Sequence, residues 1–264
     1  MARRLLNSDR RQEQTTQQRL FVRLANQHKG DLRTAIRQAM KSGASAFESD
    51  GRSAIAAAVN DERQRIARRI EAMHRAAFDT LGRRVLDAAL EKSRAGAGHE
   101  FKIVSEDPTE AFDEALRAFV AEQSAQQVER VLDTTNSQLA RIITEGTREG
   151  AGVDEIARRI RTSADNMSRV RSEVIARTET HKAGQKAQDQ AAKSSGISRQ
   201  KEWISSADGR TRTDKFDHLR PDGETVDIDG RFKETGEELE HPGDPVGSPG
   251  NVIMCRCGVG YVVD

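Results

Sequence analysis

Apolar residues in the first 200 positions recur at helical spacing. Leu20 and Leu24, then Leu32, Ile36 and Met40, step by four, which predicts a helix that stops at Gly43. Ile66, Ile70, Met73, Ala77, Leu81 and Val85 form one stripe of a second helix over residues 52–92, followed by a loop at 93–99. Asp107 before Pro108 reads as an N-cap with proline at the first helical position. The helix it opens carries Phe112, Leu116, Phe119, Val120, Val128, Leu132, Leu139 and Ile143, and ends at Gly146 or Gly150. A short helix over 153–161 and a longer one over 165–193 complete the series.

The pattern changes near Ser194-Ser195-Gly196. Four of the five prolines (Pro221, Pro242, Pro245 and Pro249) follow residue 220, and helical periodicity gives way to short apolar runs between turn signals. Strands are predicted at 201–205, 252–254 and 259–263. The fold class is therefore α+β: an extended, mainly helical N-terminal region followed by a small loop-rich β module at the C-terminus. The implied division is residues 1–150, a helical assembly or partner-docking region, and residues 151–264, two helices followed by short strands and loops. The tail is expected to form a self-contained knob.

Composition narrows the class. Only 4% of the 264 residues are aromatic and 32% are charged, so the core falls to Ala, Leu, Ile and Val, and a large compact all-β fold is not expected. No stretch of about 18 apolar residues offers a membrane span, and the arginines of the N-terminus precede no apolar segment of a secretory signal. A reducing cytoplasm is the expected compartment, with no membrane partner.

The net charge of +1 conceals a gradient: residues 1–40 hold nine basic groups against three acidic, and residues 201–264 hold eight against fourteen. Arg3, Arg4, Arg10, Arg11, Arg19 and Arg23 are the candidate contacts of the basic arm. They suit double-stranded DNA, bound without sequence preference, as well as an acidic protein surface.

Chemistry concentrates near the end of the chain. His218, His241, Cys255 and Cys257 are the residue types that hold zinc, and a module too small for a comfortable core gains most from a structural metal. The spacing Cys-Arg-Cys is not the usual Cys-x-x-Cys knuckle, and two cysteines packed as small hydrophobes with His218 hydrogen-bonded in a turn satisfy the same sequence. No cofactor beyond such a zinc is expected. The acidic residues between 208 and 229 fit no register of a calcium loop, and no phosphate-binding, nucleophile-elbow or zinc-protease motif occurs. With no nucleophile, base and oxyanion donor assembled, the protein reads as a non-enzyme.

Taken in order, the C-terminal motifs resemble a known family. They run from Ile175-Ala176-Arg177-Thr178-Glu179-Thr180 and Glu202-Trp203-Ile204 to Asp208-Gly209-Arg210-Thr211-Arg212. His218, Asp222-Gly223, Phe232, Pro242-Gly243-Asp244-Pro245 and Asn251-Val252-Ile253-Met254-Cys255-Arg256-Cys257 follow. The series is similar to the phage Mu F-like minor head protein domain, over roughly residues 150–264. The family's frequent ending is Asn-Cys-Arg-Cys, where this chain has Met254. Many relatives also carry an upstream Cys-x-x-Cys that is missing around His218, so a four-thiolate metal site is not expected here.

The resemblance implies a structural minor capsid protein of a tailed phage or prophage, active in head morphogenesis at the portal vertex or head interior. Its location would be the virion, and the host cytoplasm during assembly. The partners implied are the portal protein, the scaffold or the major capsid protein. It also gives weight to Arg177, Glu179, His218 and Arg256 as a polar framework tying the last long helix to the β module. A metal-dependent nuclease or other hydrolase, built on the acidic loops and the His/Cys cluster, is the alternative.

Overall fold

The computed structural model describes residues 3–6, 9–94, 107–196 and 198–263, without the side chains of Arg3 and Arg4. Helices dominate. In chain order they are α1 (Arg10–Asp50), α2 (Ile55–Asn60), α3 (Arg63–Ala77), α4 (Arg83–Arg94), α5 (Pro108–Arg148), α6 (Val153–Ser195) and α7 (Pro249–Val252). The strands are β1 (Arg3–Arg4), β2 (Gln200–Ile204), β3 (Thr225–Asp227) and β4 (Gly258–Val263). They form one antiparallel sheet in the order β1-β4-β2-β3. Trp203 pairs with Val259, and Arg3 with Val263. The mainly helical chain with a small β module is the expected class.

Several boundaries differ from the periodicity. Helix α1 runs through Gly43, because a Cβ there would stand 2.5 Å from Leu139 Cδ1. This glycine allows close packing inside a helix and does not stop it. The stripe over 52–92 is divided into a short 3₁₀ turn, α2, α3, a π-helical turn at Phe78–Gly82 and α4. The predicted loop at 93–99 lies outside the described residues beyond Arg94, where α4 ends. The break expected between residues 161 and 165 is absent: Thr162, Ser163 and Ala164 continue α6. Residues 252–254 are not a strand; Val252 ends α7, and Met254 turns the chain with φ 59.

The predicted start of α5 is observed. Asp107 Oδ1 accepts the backbone N–H groups of Thr109 and Glu110 at 2.9 and 3.1 Å, covering two donors that the helix leaves open. Its end uses Gly150 at φ 77, with Ala151 N–H donating to Gly146 O at 2.9 Å and Gly150 N–H to Thr147 O at 3.1 Å.

The chain divides into two compact units, each drawing on residues from both sides of position 150. One comprises residues 26–73 and 120–176, and its core is aliphatic: Leu32, Ile36, Met40, Ile66, Ile70, Leu139 and Ile160 are fully buried. Within it Arg171 donates to Thr135 Oγ1 and Val131 O, both at 2.9 Å, so α6 grips the backbone of α5. Burial lowers the pKa of this guanidinium to about 10.

The other unit comprises residues 1–25, 74–119 and 177–264 and contains the whole sheet. Phe78 meets the rings of Phe112 and Phe119 at 5.7 and 5.2 Å, and Trp203 meets Phe232 edge-on at 5.4 Å. At Gly184 a Cβ would lie 2.5 Å from both Leu81 and Phe21, so α6 is in close contact with side chains of two other segments. The β module is thus not self-contained: the beginning of α1 and residues 74–119 belong to its unit. Among the described residues no helix is long and apolar enough to cross a membrane.

Candidate functional site

The C-terminal cluster is built on three short segments. His218 sits in the loop between β2 and β3, its backbone N–H bonded to Arg212 O at 2.9 Å and its ring edge-on to Trp203 at 5.7 Å. Asp217 Oδ1 accepts the N–H groups of Leu219 and Arg220, closing the turn that follows. Asn251, in α7, stands at 2.7 Å from His218 Nε2 through its Oδ1. The amide of Asn251 donates to Thr235 Oγ1 at 3.2 Å and Glu237 Oε2 at 3.1 Å, which fixes Oδ1 as the acceptor. His218 Nε2 therefore carries the proton, and Nδ1 presents a lone pair.

Cys255 and Cys257 supply what that lone pair faces. Their sulfurs lie 3.6 and 3.5 Å from His218 Nδ1, both thiols are free, and all three residues are buried. The three donor atoms fall within 4.8 Å of one another. Burial pushes the Cys257 thiol up, whereas a hydrogen bond from Cys257 draws Cys255 down. His241, grouped with them by sequence, is not one of the three. It is buried elsewhere with Nδ1 donating to Pro242 O at 3.2 Å, and burial lowers its pKa.

The four residues of the expected framework divide among separate partners. Glu179 receives Lys182 Nζ at 3.0 Å and meets His74 Nε2 at 3.2 Å. Burial alone would raise its pKa, but His74 and Lys182 hold it below the usual carboxylate range. Arg256 forks onto Asp208, with Nη2 at 2.6 Å from Oδ1, and this hydrogen bonding brings Asp208 down to about 2. His218 faces the sulfurs. Arg177 lines a cavity of about 200 Å³ together with Arg210, Arg212, Arg256 and all three sulfur-cluster residues.

Two arginines of the basic arm are occupied within the chain. Arg10 pairs with Asp222 and with Glu202 at 3.2 Å; Arg11 pairs with Asp222 at 2.6 Å and donates to Ser205 O at 2.7 Å. Arg19 and Arg23 are exposed. The side chains of Arg3 and Arg4 lie outside the described residues; their backbones form β1.

Buried glutamines were not legible as functional positions. Gln17 Nε2 donates to Val259 O at 2.8 Å, Gln14 Nε2 to Arg256 O at 3.1 Å, and Gln185 Nε2 to Cys257 O at 3.1 Å. They satisfy backbone carbonyls of β4 and the segment before it; Cys257 O also accepts from His181 Nε2 at 2.9 Å. The available signal was spacing: Gln14, Gln17, Phe21 and Leu24 lie on one stripe of α1. A second buried polar group is Lys201, 3.0 Å from Asp189 Oδ1 with both side chains fully buried. Burial lowers the pKa of this lysine.

The arrangement can hold a backbone in place and offer a nitrogen and two sulfurs to one point. Among the described residues the His218, Cys255 and Cys257 set is the one cluster of metal-ligating side chains. No curated protein and no solved structure matches the chain. A family model does match, described as Phage Mu protein F like protein, over residues 137–260. That stretch contains the motifs from Ile175 to Cys257. Over residues 137–260, a little under half of its length, the chain is similar to the phage Mu F-like proteins.

Proposed function

We propose that the protein is a structural component of phage head morphogenesis, working at the portal vertex or in the head interior. It would reside in the virion, and in the host cytoplasm while heads assemble. The observation that carries this reading is the family match over residues 137–260. The side-chain chemistry supports it. Asp208 and Asp222, which a hydrolase would turn toward a metal or water, each hold arginines of the same chain. The polar residues of the unit are used to fasten helices to strands.

Partner contact falls to exposed surface. Arg10 and Arg11 are committed internally, so Arg19 and Arg23 are the described members of the arm available to the portal, scaffold or major capsid protein, or to packaged DNA. Co-expression with those three head proteins from the same genome, followed by purification through this chain, tests the reading. Retention of one of them in stable stoichiometry is expected; recovery of the chain alone from all three contradicts it. If DNA is a ligand, Arg19→Ala with Arg23→Ala reduces the slope of log affinity against log salt by about 2. An unchanged slope removes these two residues from the contact.

A further inference from the structure

We infer that His218, Cys255 and Cys257 form a zinc site in which the protein supplies three ligands and the fourth position opens toward the arginine-lined cavity.

The inference begins with the tautomer. A histidine that binds a metal through one ring nitrogen characteristically donates its other N–H to a fixed acceptor. Asn251 Oδ1 is that acceptor at 2.7 Å, and it is itself oriented by Thr235 and Glu237. One short helix and two loop segments are thus used to aim one ring nitrogen. It is aimed at two sulfurs.

The distances agree with tetrahedral zinc. Bond lengths of about 2.3 Å to sulfur and 2.0–2.1 Å to nitrogen, at tetrahedral angles, place each sulfur about 3.5 Å from the nitrogen. The separations from His218 Nδ1 are 3.5 and 3.6 Å. The same geometry puts the two sulfurs about 3.8 Å apart. All three donors lie within 4.8 Å, so loading requires the sulfurs to approach by at most about 1 Å, within the reach of side-chain rotation.

Two soft thiolates and an imidazole select zinc over magnesium or calcium, which take oxygen ligands. The bound unit of Zn²⁺ and two thiolates is neutral. Its remaining position faces a cavity lined by Arg177, Arg210, Arg212 and Arg256, so it suits a water molecule or a small anion. This departs from the closed four-ligand pattern of structural zinc. His241 contributes nothing, being hydrogen-bonded to Pro242 O in a separate place.

The test uses the full chain, reduced and freed of metal by chelation, and titrated with Co²⁺ in place of Zn²⁺. One equivalent should produce a thiolate-to-cobalt charge-transfer band in the near ultraviolet, and Zn²⁺ should abolish it by displacement. Elemental analysis of the reloaded protein should return one zinc per chain. Cys255→Ser with Cys257→Ser should retain under a tenth of that. Because such a variant can lose its fold, Asn251→Ala and Asn251→Asp are compared as well. The alanine should weaken zinc binding about 10- to 100-fold, and the aspartate, which keeps the acceptor, should restore it. Absence of both the band and the zinc from folded, reduced wild-type protein overturns the inference. Binding that survives removal of both cysteines also overturns it.

Discussion

Asp222→Ala should show how far the start of α1 holds the β module. The Asp222 side chain is 19% exposed and serves three donors. Arg10 and Arg11 pair with its two oxygens, the latter at 2.6 Å, and the Ser205 backbone N–H donates to Oδ1 at 2.8 Å. Each guanidinium pair, being partly exposed, contributes about 0.2–1 kcal/mol. The backbone N–H, left without its charged acceptor, adds about 1–2 kcal/mol. The expected loss is about 2–3 kcal/mol, or roughly 5–10 °C in Tm for a chain of this size. Trp203 is the single tryptophan and is fully buried, so its fluorescence follows the module directly during a thermal melt. Asp222→Asn keeps an acceptor for Ser205 and should lose about half as much. A cycle with Arg10→Ala and Arg11→Ala should give a coupling above about 0.5 kcal/mol. Additivity in that cycle, or a loss below about 0.5 kcal/mol, refutes the idea that these arginines clasp the module.

Three further outcomes follow from other residues. Lys201→Met leaves Asp189 buried beside a neutral chain with only Lys193, 2.8 Å from its other oxygen, and should cost about 3–5 kcal/mol in denaturant unfolding; a change under 1 kcal/mol contradicts the burial of this pair. Met254→Asn places a residue that tolerates the left-handed region at φ 59 and should raise stability by about 0.5–1 kcal/mol, read as a higher denaturation midpoint; a lower one contradicts it. His181 and His241 are held neutral by burial, His181 at about 4, so the unfolded chain binds protons that the folded chain refuses. Stability should therefore fall as pH drops from about 6.5 toward 4, and His241→Gln should flatten part of that slope; identical slopes exclude His241 as a source.

The helical stripes and the capping of α5 were readable because their causes are local: Asp107 and Pro108 act within one turn, and Ile66, Ile70 and Met73 repeat at the helical period. The motif series from Ile175 to Cys257 was readable for a similar reason, since its residues and order lie in the sequence itself. Long-range geometry was not. Gly43 stops a helix by propensity, yet Leu139, nearly a hundred positions away, makes it a packing residue. Arg10 and Arg11 look like a free cationic arm until Asp222 is placed beside them. The fold brings His218 and the two cysteines together, whereas His241 has the same chemistry at a plausible distance along the chain, and only the fold separates it. Met254 shows the reverse case: its departure from the family's asparagine is visible in the sequence, and its meaning appears only as a backbone angle.

The account as a whole depends on the first turns of α1 being part of the unit that holds the β module and not an appendage to it. Gln14, Gln17 and the Arg10–Arg11 pair are its fastenings to β4, to the chain before it and to the loops. Trp203 fluorescence of the full chain should be compared with that of a chain beginning at residue 26. The shortened chain is expected to show red-shifted emission, ready quenching and no cooperative transition. Blue-shifted emission with an unaltered melting temperature would contradict the account.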